Sequence, residues 1–287
     1  LHLVMLDKLV LKKFANYLEL IRFYKPIGFL LLMWPCWFAL SILDLDIDVL
    51  INWLIVFLFG AFFMRGAGCI INDIIDKDID KSISRTQMRP LVSKNVTLKE
   101  AILILIIFLL ISFFILLQFS LASIIVGIIS LPFIIIYPYM KRITNFPQLV
   151  LGVTFSWGVL IVSTEFNRAL TIEFLLLYIA CIFWTLAYDT IYAYQDIEDD
   201  IKQGVKSTAV YFNKKGRSFV GICYTLVLLI FGYLAWNSSK SLFCVFIMAI
   251  LGICTYIAIR KWDINSKSSS NFYFRQNNFF AFMLFIY

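Results

Sequence analysis

Charge is scarce in this chain, and the scarcity excludes most soluble architectures. Only 15% of the 287 residues are Asp, Glu, Lys or Arg, 62% are apolar, and the mean hydropathy is +0.89. So few charges do not cover a core of this size with a polar surface, so the expected class is a membrane protein. Histidine is nearly absent, and the single His2 stands too close to the start to anchor chemistry. The six cysteines, Cys36, Cys69, Cys181, Cys223, Cys244 and Cys254, lie in or beside apolar runs without metal-ligand spacing. They read as packing residues. No early apolar run resembles a cleaved leader, and no polar connection is long enough for an extramembrane domain. Residues 1–287 therefore read as one membrane domain, with no strong internal repeat.

The net charge of +7 would suggest nucleic acid in a soluble protein. Here the basic residues sit in short segments between apolar runs, the pattern of membrane topology, and no nucleic-acid partner is expected. Residues 7–25 carry Lys8, Lys12, Lys13, Arg22 and Lys25 among apolar residues, so 1–25 reads as an amphipathic helix lying against membrane lipid. Pro26 permits a helix start, and the uncharged residues 26–43 form a first span. A second runs from Val49 past Arg65 to about residue 71. An arginine at that depth is costly unless it is paired, faces protein or snorkels, which makes Arg65 a candidate site residue.

Thr97 and Glu100 have capping-box spacing before the next apolar run. Residues 101–140 carry no charge and predict two spans joined near Gln118–Ser120, with Pro132 placed to kink the second. Residues 143–164, 174–188, 218–239 and 241–259 add four more, and a short ninth run ends the chain. The expected fold is an all-α, polytopic transmembrane helical bundle of eight or nine spans. With the start cytoplasmic, 22 of the 25 basic residues fall on one side, Arg65 lies within a span, and Arg168 and Lys240 are opposite. Two acidic motifs then share the cytoplasmic side.

The first motif lies in RGAGCIINDIIDKDIDKSISRTQMRP at 65–90. Asn72, Asp76 and Asp80 are spaced i, i+4, i+8, so they share one face of a helix leaving the apolar region. Arg65 precedes this stripe, Arg85 and Arg89 follow it, and Asp73 and Asp78 lie off it and rank lower as ligands. The second motif, DTIYAYQDIEDD at 189–200, repeats the arrangement with Asp189, Tyr192, Asp196 and Asp200. Asp76, Asp80, Asp196 and Asp200 gathered in one chamber would repel unless a cation neutralised them. Carboxylates with a polyphosphate suit magnesium, Asn72 would orient the cluster, and basic rim residues would bind phosphate oxygens. Neutralising a departing diphosphate lowers the barrier to C–O cleavage, and an apolar chamber shields the resulting electrophile. Two unrelated helix-end clusters are the structural alternative. A cation-coupled transporter is another, although its acids are expected nearer the bilayer midplane.

Several segments in order carry a resemblance: IRFYKPIG at 21–28, NDIIDKDID at 72–80, RTQMRPL at 85–91, YPYMKRITNFPQLVLG at 137–152 and YDTIYAYQDIEDDIKQGVKSTA at 188–209. Together with FRQNNFF at 274–280, they resemble the UbiA family of intramembrane aromatic prenyltransferases. The resemblance implies magnesium-dependent transfer of a polyprenyl group from its diphosphate to the ring carbon ortho to the hydroxyl of 4-hydroxybenzoate. Diphosphate is released, and the setting is ubiquinone biosynthesis at the bacterial inner membrane. It places metal binding at Asn72, Asp76, Asp80, Asp196 and Asp200, with Asp189 and Tyr192 lining the chamber. Arg22, Lys25, Arg65, Arg85, Arg89, Lys141, Arg142 and Lys206 become candidates for diphosphate or carboxylate contacts. Glu198 in the second acidic run and the short final apolar run depart from the family pattern. A different quinone precursor or haem as acceptor stays open. The Asp-Gly and Ala-Arg pattern of CDP-alcohol phosphotransferases is absent.

Overall fold

Apolar runs in a lipid solvent must satisfy their backbone polar groups internally, which favours helices. The computed structural model describes residues 2–83, 85–169, 171–239 and 242–286, leaving Lys240 and the side chains of His2, Lys8 and Cys244 outside the described residues. Every regular element among the described residues is helical. In order they are α1 (His2–Leu20), α2 (Ile27–Ser41), α3 (Ile47–Ile75), α4 (Lys77–Asp80), α5 (Leu98–Leu116), α6 (Leu121–Ile129) and α7 (Leu131–Ile143). There follow α8 (Pro147–Phe155), α9 (Trp157–Glu165), α10 (Ile172–Ala193), α11 (Ile197–Gln203), α12 (Thr208–Phe212), α13 (Gly216–Ser239), α14 (Leu242–Lys261) and α15 (Lys267–Phe285).

Among the described residues, six stretches are long and apolar enough to cross a membrane by length and composition: Ile47–Ile75, Leu98–Leu116, Leu121–Ile143, Pro147–Glu165, Ile172–Ala193 and Thr208–Ser238. Length and composition thus account for six of the eight or nine spans expected, and α14, where the Cys244 side chain lies outside the described residues, is not among the six. Helix α2 has 15 residues, about 22 Å at 1.5 Å per residue, against a hydrocarbon core of about 30 Å. Helix α15 is long enough, but Asn271, Arg275, Gln276, Asn277 and Asn278 dilute its apolarity.

Local chemistry sets the helix ends. Thr97 Oγ1 accepts from the Glu100 N–H at 3.3 Å while Glu100 Oε2 accepts from the Thr97 N–H at 2.7 Å, the expected capping box opening α5. Ser120 caps α6 by accepting from the Ser123 N–H. The chain breaks at Ser130, and Pro132 falls in the first turn of α7, where its missing N–H costs nothing. Leu121–Ile143 is nonetheless a single apolar stretch with Ser130 helical at φ −70° and ψ −26°, so the interruption falls beside Pro132, where the kink was expected.

Helix α10 is the central strut. Its Trp184 and Tyr188 are buried, with Trp184 5.8 Å from the Phe38 ring of α2 and donating to Asn277 Oδ1 of α15 at 2.9 Å. Four cysteines, Cys36, Cys69, Cys181 and Cys223, are buried as expected, whereas Cys254 is exposed. Phe59, Leu103, Phe114, Ile129 and Phe246 also face outward. Apolar side chains on the outside of such helices face lipid. Helix α1 is tied to α5, where Lys13 and Tyr17 both donate to Glu100 at 3.0 Å.

Candidate active site

The two acidic motifs are built alike. Helix α3 ends at Ile75, Asp76 interrupts it with φ −91° and ψ 6°, and α4 begins at Lys77. The element is therefore interrupted at Asp76, where a single continuous helix was expected. The N–H of Asp76 still donates to the Asn72 carbonyl and that of Asp80 to the Asp76 carbonyl, both at 2.8 Å. The four-residue spacing thus survives the break. In the second motif α10 ends at Ala193, and Asp196, with φ −112° and ψ 4°, leads into α11. Each motif places an aspartate where a long helix hands over to a short one.

The loop after the first motif grips the second. Arg85 Nε donates to Asp196 Oδ1 at 2.8 Å, Nη2 to Oδ2 at 2.5 Å, and Nη1 to the Tyr192 hydroxyl at 2.8 Å. Its guanidinium also lies 5.1 Å from the Tyr192 ring centroid. Nearby, Ser82 Oγ donates to Gln203 Oε1 at 2.7 Å. From α7, Lys141 Nζ donates to Asp76 Oδ2 at 3.0 Å, and its charge also reaches Asp189 and Asp200. Among the described residues, Lys206 meets no acid at hydrogen-bond distance. Its Nζ donates to the Ile143 carbonyl at 3.1 Å, and its N–H to the Lys141 carbonyl at 2.9 Å, so it braces the end of α7.

Burial shapes the electrostatics. Asp200 is pushed up to about 7, first by burial and then by the Asp196 charge. Burial also raises Asp80, against the lowering effect of Arg89, which donates to it at 2.5 Å. Partial desolvation, then the charges of Arg22, Arg85 and Arg89, push the Lys25 ammonium below its ordinary value. Four cations therefore crowd one side of the acidic cluster.

Among the described residues no three acidic, cysteine or histidine groups converge to hold a metal. Arg85, Arg89 and Lys141 are paired with Asp196, Asp80 and Asp76 instead. The donor set nonetheless fits a hard divalent cation. Its groups are carboxylate and amide oxygens, and Asp76, 1% exposed, has an Oδ1 with no hydrogen-bond partner among the described residues and Arg142 Nη2 3.7 Å away. A buried carboxylate oxygen left open in this way is costly without a cation.

Arg65 stands deeper, on α3. Its Nε is buried without a hydrogen-bond partner among the described residues, and the guanidinium lies 5.5 Å from the Phe155 ring centroid. A Cβ at Gly28 would meet that Nε at 2.8 Å, so the glycine makes room for the arginine. The embedded arginine thus faces protein and does not snorkel out to lipid.

Asp73, ranked lower as a metal ligand from its position off the stripe, is 1% exposed and bonded to both Arg22 and Arg89. Spacing assigns a residue to a face but does not name its partners. Arg22 has φ 59° at the end of α1, where the Phe23 N–H bonds the Leu18 carbonyl at 2.9 Å and the Arg22 N–H bonds the Glu19 carbonyl at 3.0 Å. This is the Schellman turn usually made by glycine, and a left-handed L-residue there costs about 1–2 kcal/mol.

Comparison with known proteins places these features in a family. The profile of the UbiA prenyltransferase family matches residues 32–286. The chain is 37% identical over 278 residues to a 4-hydroxybenzoate octaprenyltransferase of Blochmanniella pennsylvanica, covering 96% of this chain and 95% of that one. It is 41% identical over 243 residues to the enzyme of that name in Legionella pneumophila, covering 84% and 85%. Among solved structures, the apo UbiA homolog from Aeropyrum pernix K1 superposes with a TM-score of 0.71 at 22% identity, covering 90% of this chain and 94% of that one. A UbiA homolog from Archaeoglobus fulgidus bound to GPP and Mg2+ gives 0.67 at 17% identity, covering 95% and 100%. The family match across most of the chain, relatives above 30% identity and a shared all-α fold agree: this chain is a member of the UbiA prenyltransferase family.

Proposed function

We propose that this chain transfers a polyprenyl group from polyprenyl diphosphate to the ring carbon ortho to the hydroxyl of 4-hydroxybenzoate, releasing diphosphate, as a step of ubiquinone biosynthesis. The observation that carries this reading is the joining of the two acidic motifs by Arg85 and Lys141, in a chain whose relatives bear the name of that enzyme. Asn72, Asp76, Asp80, Asp196 and Asp200 would hold magnesium, which supplies charge neutralisation for the departing diphosphate. Lys25, Arg85, Lys141 and Arg142 offer donors to the diphosphate oxygens, while Lys206 acts by bracing Lys141.

The allylic C–O bond breaks with its electron pair leaving on diphosphate, and a ring π pair forms the new C–C bond. The ring C–H pair then restores aromaticity, and Asp189, half-buried beside the Lys141 charge, takes the proton. Tyr192, its hydroxyl held by Arg85, presents a π face to developing positive charge. Arg65, embedded among aromatic groups with an unpaired Nε, is the anchor for the acceptor carboxylate.

In this reading α2, α14 and α15 complete a nine-span bundle in the inner membrane. The start and both motifs are cytoplasmic, α1 lies on the surface, and residues 1–287 act as one domain. Purified protein given magnesium, 4-hydroxybenzoate and a polyprenyl diphosphate is expected to yield the prenylated acid and diphosphate in equal amounts. Diphosphate release without prenylated acid would replace this acceptor. Ion flux without turnover would replace the enzyme reading by the transporter.

A further inference from the structure

Asp73 receives hydrogen bonds of 3.0 Å or less from two different arginines, and the reaction scheme leaves it without a role. Its side chain, 2% exposed, receives Arg22 Nη2 on both oxygens at 2.7 and 2.8 Å and Arg89 Nη1 at 3.0 Å. Its carboxylate lone pairs are thus engaged by guanidinium N–H groups, leaving little for a metal. The two arginines come from opposite sides of the first motif. Arg22 lies in the turn after α1, and Arg89 lies in the loop after α4. Their side chains are 18% and 17% exposed, so each keeps donors at the opening of the site.

The backbone adds an independent observation. Arg22 occupies the left-handed position of a Schellman turn, where glycine is favoured. Ending α1 does not require an arginine there, but reaching Asp73 and the site does. An outlier of this kind, over-determined by its surroundings, points to use of the side chain. Arg89 also donates to Asp80 at 2.5 Å, so Asp73 gives it a second anion whenever Asp80 is otherwise engaged.

We propose that Asp73 is a positioning residue, the permanent counter-ion that holds Arg22 and Arg89 as a preformed oxyanion subsite for the donor's diphosphate, built before any metal binds. The proposal rests on the diphosphate-dependent transfer described above and assigns Arg22 and Arg89 to the donor. A free carboxylate in this place would repel the diphosphate, whereas one neutralised by two guanidiniums orders their remaining donors.

The test is calorimetric binding of inorganic diphosphate to full-length protein in EDTA, with steady-state kinetics in magnesium alongside. Wild type is expected to bind in EDTA, and Asp73→Asn to bind about tenfold more weakly, the worth of a lost charge-assisted pair. In turnover the same variant raises the donor KM by a similar factor, with kcat and the magnesium half-saturation within about twofold of wild type. Arg22→Gly installs the residue the turn favours, so its weakened diphosphate binding is not a failure to fold. The Asp73→Asn/Arg22→Gly double variant is expected to bind no more than about twofold more weakly than either single variant.

Equal or tighter diphosphate binding by Asp73→Asn would overturn the proposal, as would additive losses or a tenfold shift in magnesium half-saturation at unchanged donor KM. No diphosphate binding by wild type in EDTA also overturns it. The binding arm needs no turnover, so wild type that binds diphosphate but makes no prenylated acid defeats the transfer reading alone.

Discussion

Arg85 shows how much one side chain can do at this site. It meets Asp196 through two nitrogens and Tyr192 through a third, a reach that follows from the planar fork of guanidinium and that lysine lacks. Arg85→Lys is therefore expected to cut kcat/KM at least about tenfold with the fold intact, measured as prenylated acid formed in purified protein. Asp200 supplies a pH signature. Its folded-state value of about 7 lies above the ordinary 3.8, so between these values the metal-free folded protein holds a proton that the unfolded chain has released. Stability contributed by that proton falls as pH rises through the interval. Asp200→Asn keeps a neutral side chain, so its thermal midpoint in EDTA should match wild type near pH 4 and exceed it above pH 7; a constant offset would refute the assignment. Asp76, Asp80, Asp196 and Asp200 were legible as a set because spacing puts acids on a face. Arg22 was legible only through the family resemblance, and its pairing with Asp73 was not legible at all, since partners distant in sequence and a left-handed turn at a residue other than glycine leave no spacing signal.

Helices were predicted most closely where one local rule governed them. Thr97 and Glu100 announced the start of α5, and the capping box is present atom for atom. Thr97→Ala should lower stability by about 1 kcal/mol, read from denaturation in detergent, with the site's kinetics unchanged. The rule of an unbroken helix failed where tertiary context decided, as at Asp76, where α3 stops and a short helix restarts. Close packing is equally invisible in one sequence. A Cβ on Gly66 of α3 would meet Phe108 Cδ1 of α5 at 2.6 Å. Gly66→Val should therefore push these helices apart and lower the thermal midpoint more than Gly68→Val, since a Cβ at Gly68 has open space.

Across the whole molecule, the long helices serve as walls and the chemistry gathers where they end. The all-α membrane class followed from composition alone, because scarce charge leaves no other solvent for so apolar a surface. Six of the expected spans meet length and composition among the described residues, while a short α2 and amides in α15 blur the remainder. Cysteines placed at Asp78 and Lys202, beside the two motifs, should react with a membrane-impermeant reagent from the same face of sealed vesicles; labelling from opposite faces would separate the motifs. The central claim, that two distant acidic helix ends form one site, is tested most directly by single-turnover release of diphosphate from wild type, Asp76→Asn, Asp196→Asn and the double variant. A shared site predicts that either single substitution removes nearly as much rate as both together. Losses that simply multiply, or a single variant that keeps wild-type turnover, would contradict it.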